Sequence, residues 1–357
     1  MEPDFILNGA ANGTLSQKLL ASNFDTGVLR PFIGDDGRSY ITLNDGSETG
    51  KTMVWNSGAT LRKNEWQMID EAVVKAARPR LKLINDFRAS GLTYNFANAW
   101  GHTVLQYERQ SDISRARLSM DGLTPGENDR PVYDIVNLPL PVISKEISMN
   151  SRAIAISRNG NTPLDISNLE LAAIKVAEEA EQLALGTLSA YSFGGGTVYG
   201  LTNFPSRITG AFLNPTVSGW TPSMTYNSVI GMIKAAMDKF HYGPFRLYYS
   251  TGMMPFMLRQ FNDNYAGGSL VENIGRLPGI TSVSQLDYLT GNQLLLVEQS
   301  ASVARIVMGM DITTVQWSEN GGLTEKFRVM AMMVPQMKTD QAGNTGIVHY
   351  TGNATTT

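Results

Sequence analysis

The chain has 357 residues, 42% hydrophobic and 17% charged, enough for a sizeable core in one elaborate domain or two medium ones. It contains no cysteine, which excludes disulfides, thiolate metal sites, iron–sulfur clusters and cysteine nucleophiles. With 29 basic and 32 acidic residues the net charge is -3, so any contact with nucleic acid is expected to be local.

Apolar stretches such as Val329 to Pro335 fall far short of the ~20 residues that a membrane-spanning helix requires, and Met1-Glu2-Pro3-Asp4 is no basic signal-peptide start. A soluble, non-secreted chain without a membrane partner is expected.

Residues 1–60 show no sustained period and carry turn signals at Asn8-Gly9, Asn12-Gly13, Asp36-Gly37 and Asp45-Gly46, the pattern of an extended arm. Asn64 and Gln67 resemble a capping box ahead of Trp66, Ile69, Val73, Ala76 and Ala77 at helical spacing. Pro79 is expected to interrupt that helix before Leu83, Ile84 and Phe87 resume its apolar stripe. From Thr93 to Asp134, aromatic and polar residues alternate (Tyr94, Phe96, Trp100, Val104, Tyr107) and then meet the turn-rich stretch 122–131, which predicts a long two-stranded ribbon with a flexible tip. Strand is expected to continue over 135–157, through Ile143, Ile147, Ile154 and Ile156.

Thr162, Pro163 and Asp165 announce a helix. Its Leu169, Ala173, Val176, Ala180 and Leu183 are spaced 4, 3, 4, 3, Glu178, Glu179 and Glu181 are expected on its other faces, and Gly186 ends it. Turns follow at Gly194-Gly195-Gly196 and Gly200 to Pro205. Beyond them the pattern predicts a helix over 223–240, a buried strand over 245–250, a short helix over 255–262, and strands over 293–298, 304–307, 312–317 and 326–333. Helices and strands do not alternate regularly, so the class is α+β.

No candidate for chemistry survives inspection. Gly46 to Thr52 has three residues between its glycines where a phosphate-binding loop needs four, and it reads as a surface turn. Gly194, Gly196 and Gly200 follow a helix, whereas the dinucleotide fingerprint opens one. His102, His241 and His349 have no local metal spacing. Asp35-Asp36 and Glu178-Glu179 read as solvated charge, and Lys75, Arg78, Arg80, Lys82 and Arg88, interleaved with Asp70, Glu71 and Asp86, read as a solvated helix face. The 17 methionines read as gap fillers of core or interface, with Met253-Met254, Met308, Met310 and Met330 to Met333 the clearest groups. Among Trp55, Trp66, Trp100, Trp220 and Trp317, several lie where one subunit is not expected to bury them, which suggests anchors for neighbouring chains. The expectation is no catalytic residue, no metal and no cofactor.

The stretch 137–147 (NLPLPVISKEI), the helix Leu164 to Leu185 and the turn 200–205 (GLTNFP) resemble the strand, spine helix and post-helix turn of the Hong Kong 97-type phage capsid fold. A second block, 303–317 with 325–333, is similar to its closing strands, and together the similar elements span roughly 61–340. The fold is shared by major capsid proteins of tailed bacteriophages and by encapsulin (linocin-like) compartment shells.

The resemblance implies an N-terminal arm over 1–60, an N-terminal helix over 61–92, and an extended loop over 93–135 that lies on a neighbouring subunit. It further implies a peripheral domain with the spine helix over 136–210, an axial domain over 211–324, and a return to the peripheral domain with a C-terminal tail over 325–357. The implied function is that of a structural protein and not an enzyme: a major capsid protein that self-assembles into the icosahedral shell around a double-stranded DNA phage genome. The alternatives are an encapsulin-type compartment shell and, remotely, a carbohydrate-active enzyme using Trp55 or Trp100 with scattered carboxylates. Implied partners are the chain itself in hexamers and pentamers, scaffold, portal and decoration proteins, and packaged DNA through weak local contacts. The implied location is the virion, assembled in the host cytoplasm. In the family's namesake an extended-loop lysine forms an isopeptide bond with an asparagine of an adjacent subunit, yet this chain has no lysine between Lys82 and Lys145. Non-covalent shells are therefore expected.

Overall fold

Residues 324–337 put apolar side chains on both faces of one strand, and that strand lies inside a four-stranded sheet. The computed structural model describes residues 30–43, 51–54, 61–96, 99–111, 116, 118, 120, 130, 132–159, 166–261, 268–340 and 342–353. Strand β16 (Thr324–Met337) pairs antiparallel with β15 (Ala304–Glu319) on one side and with β8 (Ile143–Asn150) on the other, and β5 (Thr93–Asn95) closes the sheet in the order β5-β15-β16-β8. Phe327, Val329, Ala331 and Met333 face the main core cluster, while Met332 and Val334 face a smaller one with Leu138 and Val307. A strand covered on both faces reads as a near-continuous apolar run, as this one does.

Strands expected separately over 304–307 and 312–317 are one strand, with register shifts between Met308 and Thr313. Gly309 explains the irregularity, because a Cβ there would lie 2.5 Å from Ala99 Cβ and 2.6 Å from Met332 Sδ.

The spine helix α4 (Ser167–Leu185) lies on this sheet, with Leu169, Ala173, Val176 and Ala180 in the main cluster. Its expected start near Thr162 lies outside the described residues. Beside it run α1 (Lys63–Ala77), a 3-10 turn at Arg78–Arg80 and α2 (Lys82–Ala89), the break at Pro79 that the sequence predicts. The cap of α1 differs from expectation: the Arg62 N–H donates to Glu65 at 2.7 Å and the Glu65 N–H to Asn64 Oδ1 at 3.0 Å, so Glu65 and not Gln67 closes the turn. Strand expected through 157 ends at Asn150 and α3 (Ser151–Asn159) follows. Ile154 is buried and Ile156 exposed, a difference that two residues on one strand face would not show.

Where described, the segment expected as an arm forms β1 (Phe32–Ile33), β2 (Ser39–Leu43) and β3 (Lys51–Val54), a small sheet joined by β4 (Leu61–Arg62). Ile41 and Met53 are buried there. Arg30 lies 4.5 Å over the Trp66 ring and 2.6 Å from Asp70, which ties this sheet to α1.

The second large sheet has the order β11-β17-β14-β12-β13, built from β11 (Ile208–Leu213), β12 (Phe245–Ser250), β13 (Ile280–Leu286), β14 (Gln293–Glu298) and β17 (Ile347–Asn353). One face carries α5 (Pro222–Met237) on Phe245, Leu247, Leu294 and Leu296, and the other sends Tyr248, Leu295, Val297 and Ile347 into the main cluster. The helix expected over 255–262 is only α6 (Met254–Met257), and α7 (Leu270–Gly275) and β13 were not foreseen. β17 was also missed: it leaves the tail region and runs between β11 and β14.

Candidate assembly surfaces

Strands β6 (Val104–Gln110) and β7 (Tyr133–Pro139) pair antiparallel as the expected ribbon, and its tip lies outside the described residues. Side chains alternate across the ribbon, so Leu105, Tyr107 and Arg109 share a face with Asp134, Val136 and Leu138. That face turns to the body. Leu138 is buried, the Tyr107 hydroxyl donates to Met337 O at 3.4 Å, and Arg109 pairs with Asp134 at 2.7 Å. The opposite face presents Tyr133 at 55% exposure and Ile135 at 64%, with Val132 alongside. A hairpin of β9 (Tyr191–Phe193) and β10 (Gly196–Val198) abuts the ribbon and adds exposed Tyr191 and Phe193. It docks through Asn137 Nδ2, which donates to Gly194 O at 3.0 Å. Gly196 is required there, since a Cβ would sit 2.1 Å from Asn137 O. Exposed apolar side chains thus sit together on two adjoining hairpins.

The turn after the spine helix is a cap. Gly186 takes a left-handed φ of 84°, and the N–H groups of Leu201 and Thr202 donate to Ala184 O and Leu185 O at 3.1 and 2.7 Å. Asn203 Oδ1 accepts the Gly200 N–H at 2.7 Å, and a Cβ on Gly200 would come within 2.2 Å of Gly186 N. A groove of about 560 Å³ opens beside the helix, floored by Val176, Leu183 and Leu188 and rimmed by Lys145, Lys175 and Tyr191.

Among the described residues the remaining candidates do not come together in a reactive site. Residues 46–50 and Trp55 lie outside the described residues. Gly194, Gly196 and Gly200 serve the hairpin and the helix cap. His102 packs against Phe96, and His241 pairs with Glu298. His349 contacts Gln293 Oε1 at 2.8 Å, and burial, then the nearby Arg207, push it down to about 4. Among the described residues no three acidic or histidine side chains form a metal-binding group. Within the basic run, Arg80 meets Glu178 at 4.0 Å, Lys82 meets Asp287 at 2.8 Å and Arg88 meets Asp311 at 3.4 Å. Asp36 is solvated as expected, and its hydrogen bond from the Tyr40 hydroxyl holds its carboxyl below the usual range.

Glu178 departs from its expected solvation, and Glu181, expected away from the apolar stripe of α4, lies in the interior. Glu178 is only 17% exposed and pairs with Lys175 at 2.7 Å, and Glu181 is buried. Met253, Met330, Met332 and Met333 are buried core fillers, whereas Met254 is exposed. Trp66 is buried against Phe327, Trp220 donates to Thr225 at 2.9 Å, and Trp317 donates to Glu319 at 3.1 Å beneath Arg328. Trp100 is 44% exposed. On the ribbon and its hairpin the exposed aromatics are Tyr133, Tyr191 and Phe193, which the sequence reading passed over; Phe240 and Tyr242 are exposed as well. For the first three, alternation with polar neighbours was the available signal.

Residues 56–350 match the model of a family described as a family of unknown function (DUF6260). No curated protein matches. The fold is similar to that of a virus-like particle from Pyrococcus furiosus, at TM-score 0.57 and 16% identity over 80% of this chain and 98% of that one. It is also similar to the capsid of Myoviridae phage XM1, at TM-score 0.56 and 10% identity over 75% and 91%. The capsid of an empty GTA particle aligns at TM-score 0.53 and 11% identity over 75% and 89%. At these identities the likeness establishes the fold, which is the Hong Kong 97-type α+β capsid fold that the sequence resemblance implied.

Proposed function

For this chain, which belongs to the family of unknown function DUF6260, we propose the role of a major capsid protein that self-assembles into an icosahedral shell around a double-stranded DNA phage genome. The observation that carries the reading is the ribbon: its inner face is used within the chain, while Tyr133 and Ile135 on its outer face stay exposed beside Tyr191 and Phe193. A two-stranded ribbon is marginal alone, and a neighbouring copy that covers this face supplies the missing packing. The fold supports the same reading, because the solved neighbours are described as capsids and a virus-like particle.

In this reading the β5-β15-β16-β8 sheet with α4 is the peripheral domain, and the sheet around β12 and β14 with α5 is the axial domain. β15 then belongs to the peripheral domain and β17 to the axial domain, which moves two segments across the boundaries at 324 and 325 drawn from sequence. The chain acts structurally and not as an enzyme. Its partners are its own copies in hexamers and pentamers, scaffold, portal and decoration proteins, and DNA held by weak local contacts. It resides in the virion after assembly in the host cytoplasm.

A compartment shell of the encapsulin type is the second reading, favoured by the 98% coverage of the Pyrococcus particle. Electron microscopy of the purified protein tests both. Closed shells or capsomers are expected, and a monomer near 39 kDa that never assembles overturns both readings. Nuclease-resistant double-stranded DNA inside native particles selects the capsid, and an enclosed protein cargo selects the compartment.

A further inference from the structure

Glu181 has no part in the assembly surfaces. Its relative exposure is 1%, and both carboxyl oxygens turn toward the start of α2, where Oε1 accepts the Leu83 N–H at 2.6 Å and Oε2 the Ile84 N–H at 3.3 Å. First-turn N–H groups have no partner inside their own helix. Here the break at Pro79 leaves Leu81 as the N-cap, with no side chain able to accept. A carboxylate 98 residues away does that work.

The neighbouring charges are committed elsewhere. Lys82 pairs with Asp287 at 2.8 Å, Arg246 with Asp86 at 3.0 Å, and Glu178, almost one turn earlier on α4, with Lys175 and Arg80. Tyr248 and Tyr288 are neutral phenols that burial pushes up. Among the described residues no cation forms an ion pair with Glu181, and Asp86 and Asp287 add negative charge near it. A carboxylate can accept both N–H groups. The neutral acid keeps one carbonyl acceptor and turns an O–H toward the other donor, so it holds only one of them well.

We propose that Glu181 is a proton-operated latch between the spine helix and α2: charged, it grips the N–H groups of Leu83 and Ile84, and protonated, it releases one and loosens the first turn of α2. Burial is the main cause that raises its pKa, against the opposing backbone hydrogen bonds, to about 7, so both forms are populated near neutrality. The sign has two parts. Between the unfolded value of 4.5 and about 7 the folded chain keeps a proton that the unfolded chain has released, so global stability falls as pH rises through that window. Local protection of the first turn of α2 moves the other way and rises with pH.

Hydrogen exchange on the full chain from pH 5.5 to 8.5, normalised to the intrinsic chemical rate, reads the latch. Protection of residues 82–89 is expected to rise several-fold with a midpoint near 7 and to become flat in Glu181→Gln. A flat wild-type profile, or a variant that tracks wild type, overturns the proposal. Should the variant fail to fold, infrared spectroscopy of the wild-type protein decides. A protonated-carboxyl band present at pH 5.5 and lost by pH 8.5 supports the latch, and its absence at pH 5.5 overturns it. The contact lies within one chain, so its failure leaves the shell reading untouched.

Discussion

The spine helix and the ribbon carry similar apolar patterns and use them oppositely. Leu169, Ala173, Val176 and Ala180 of α4 are each at most 1% exposed, sealed by β16 and α1 of the same chain. Tyr133 and Ile135 of β7 remain open, although the residues between and beyond them, Asp134 and Val136, face the body. One element has its partner within the chain and sets whether a subunit folds. The other has half of its partner within the chain and, in the proposed reading, sets whether subunits associate. Apolar character alone does not separate these roles; the presence of a covering element does.

The most direct way to break this contrast is Val176→Asp. An unpaired carboxylate among Leu169, Ala173 and Ala180 costs about 3–5 kcal/mol, a large part of the ~5–15 kcal/mol that holds a domain together. Soluble yield and far-ultraviolet circular dichroism should show no folded subunit. A wild-type melting point would mean that the groove floored by Val176 admits the new carboxylate to water and that the spine is not sealed there.

On the ribbon, Tyr133→Ser with Ile135→Ser should have the reverse outcome: loss of shells and capsomers in sedimentation, with subunit stability changed by no more than ~0.5 kcal/mol. Shells at wild-type yield would assign association to another surface. A smaller effect belongs to the second sheet. His349 is held neutral by burial, then by Arg207, with its pKa down at about 4. As pH falls from 6.5 toward 4 the unfolded chain takes up a proton that the folded chain refuses, so stability is lost over that window, by about 2–3 kcal/mol in total. Urea midpoints at pH 7 and 4.5 check this, and His349→Gln should flatten that part of the difference. Glu181 acts with the opposite sign on global stability, so acid costs stability at His349 and rising pH costs it at Glu181, even as the local grip of Glu181 on α2 tightens.

Legibility in the sequence followed the range of the forces involved. The spine helix, the break at Pro79, the end at Gly186, the ribbon and strand β12 were readable because each is set by local period, proline or glycine. β17 was not, since Ile347 to Asn353 is a short run whose strand character comes from lying between β11 and β14. Helix α3 was misread because Ile154 and Ile156 fit a strand alternation until the core takes only one of them. Glu181 was placed off the apolar face of the helix, and its burial was not legible, because its partners, Leu83 and Ile84, are distant in the chain and belong to the backbone, which leaves no mark in the side-chain pattern. The apolar outer face of β7 was present in the letters, but its meaning required knowing that Tyr133 and Ile135 stay exposed among the described residues.

The smallest expected effect is an absence of covalent bonding between subunits. An amide crosslink needs a lysine amine, and the extended-loop segment between Lys82 and Lys145 holds only arginines, whose guanidinium stays protonated and does not serve as a nucleophile. Lys82 is already paired with Asp287 at 2.8 Å. Lys145 is exposed on β8, an edge strand, at the rim of the groove beside α4, and is the nearest amine on the far side of the loop. With no cysteine, disulfides are excluded as well. In the proposed shell the ribbon is therefore expected to be held on its neighbour by packing of residues such as Tyr133 and Ile135 and by arginine–carboxylate pairs across subunits. Particles boiled in detergent should run as one band near 39 kDa. A ladder of multimers would show that a covalent bond reinforces the contact, and loss of the ladder in Lys145→Arg would place that bond at the groove.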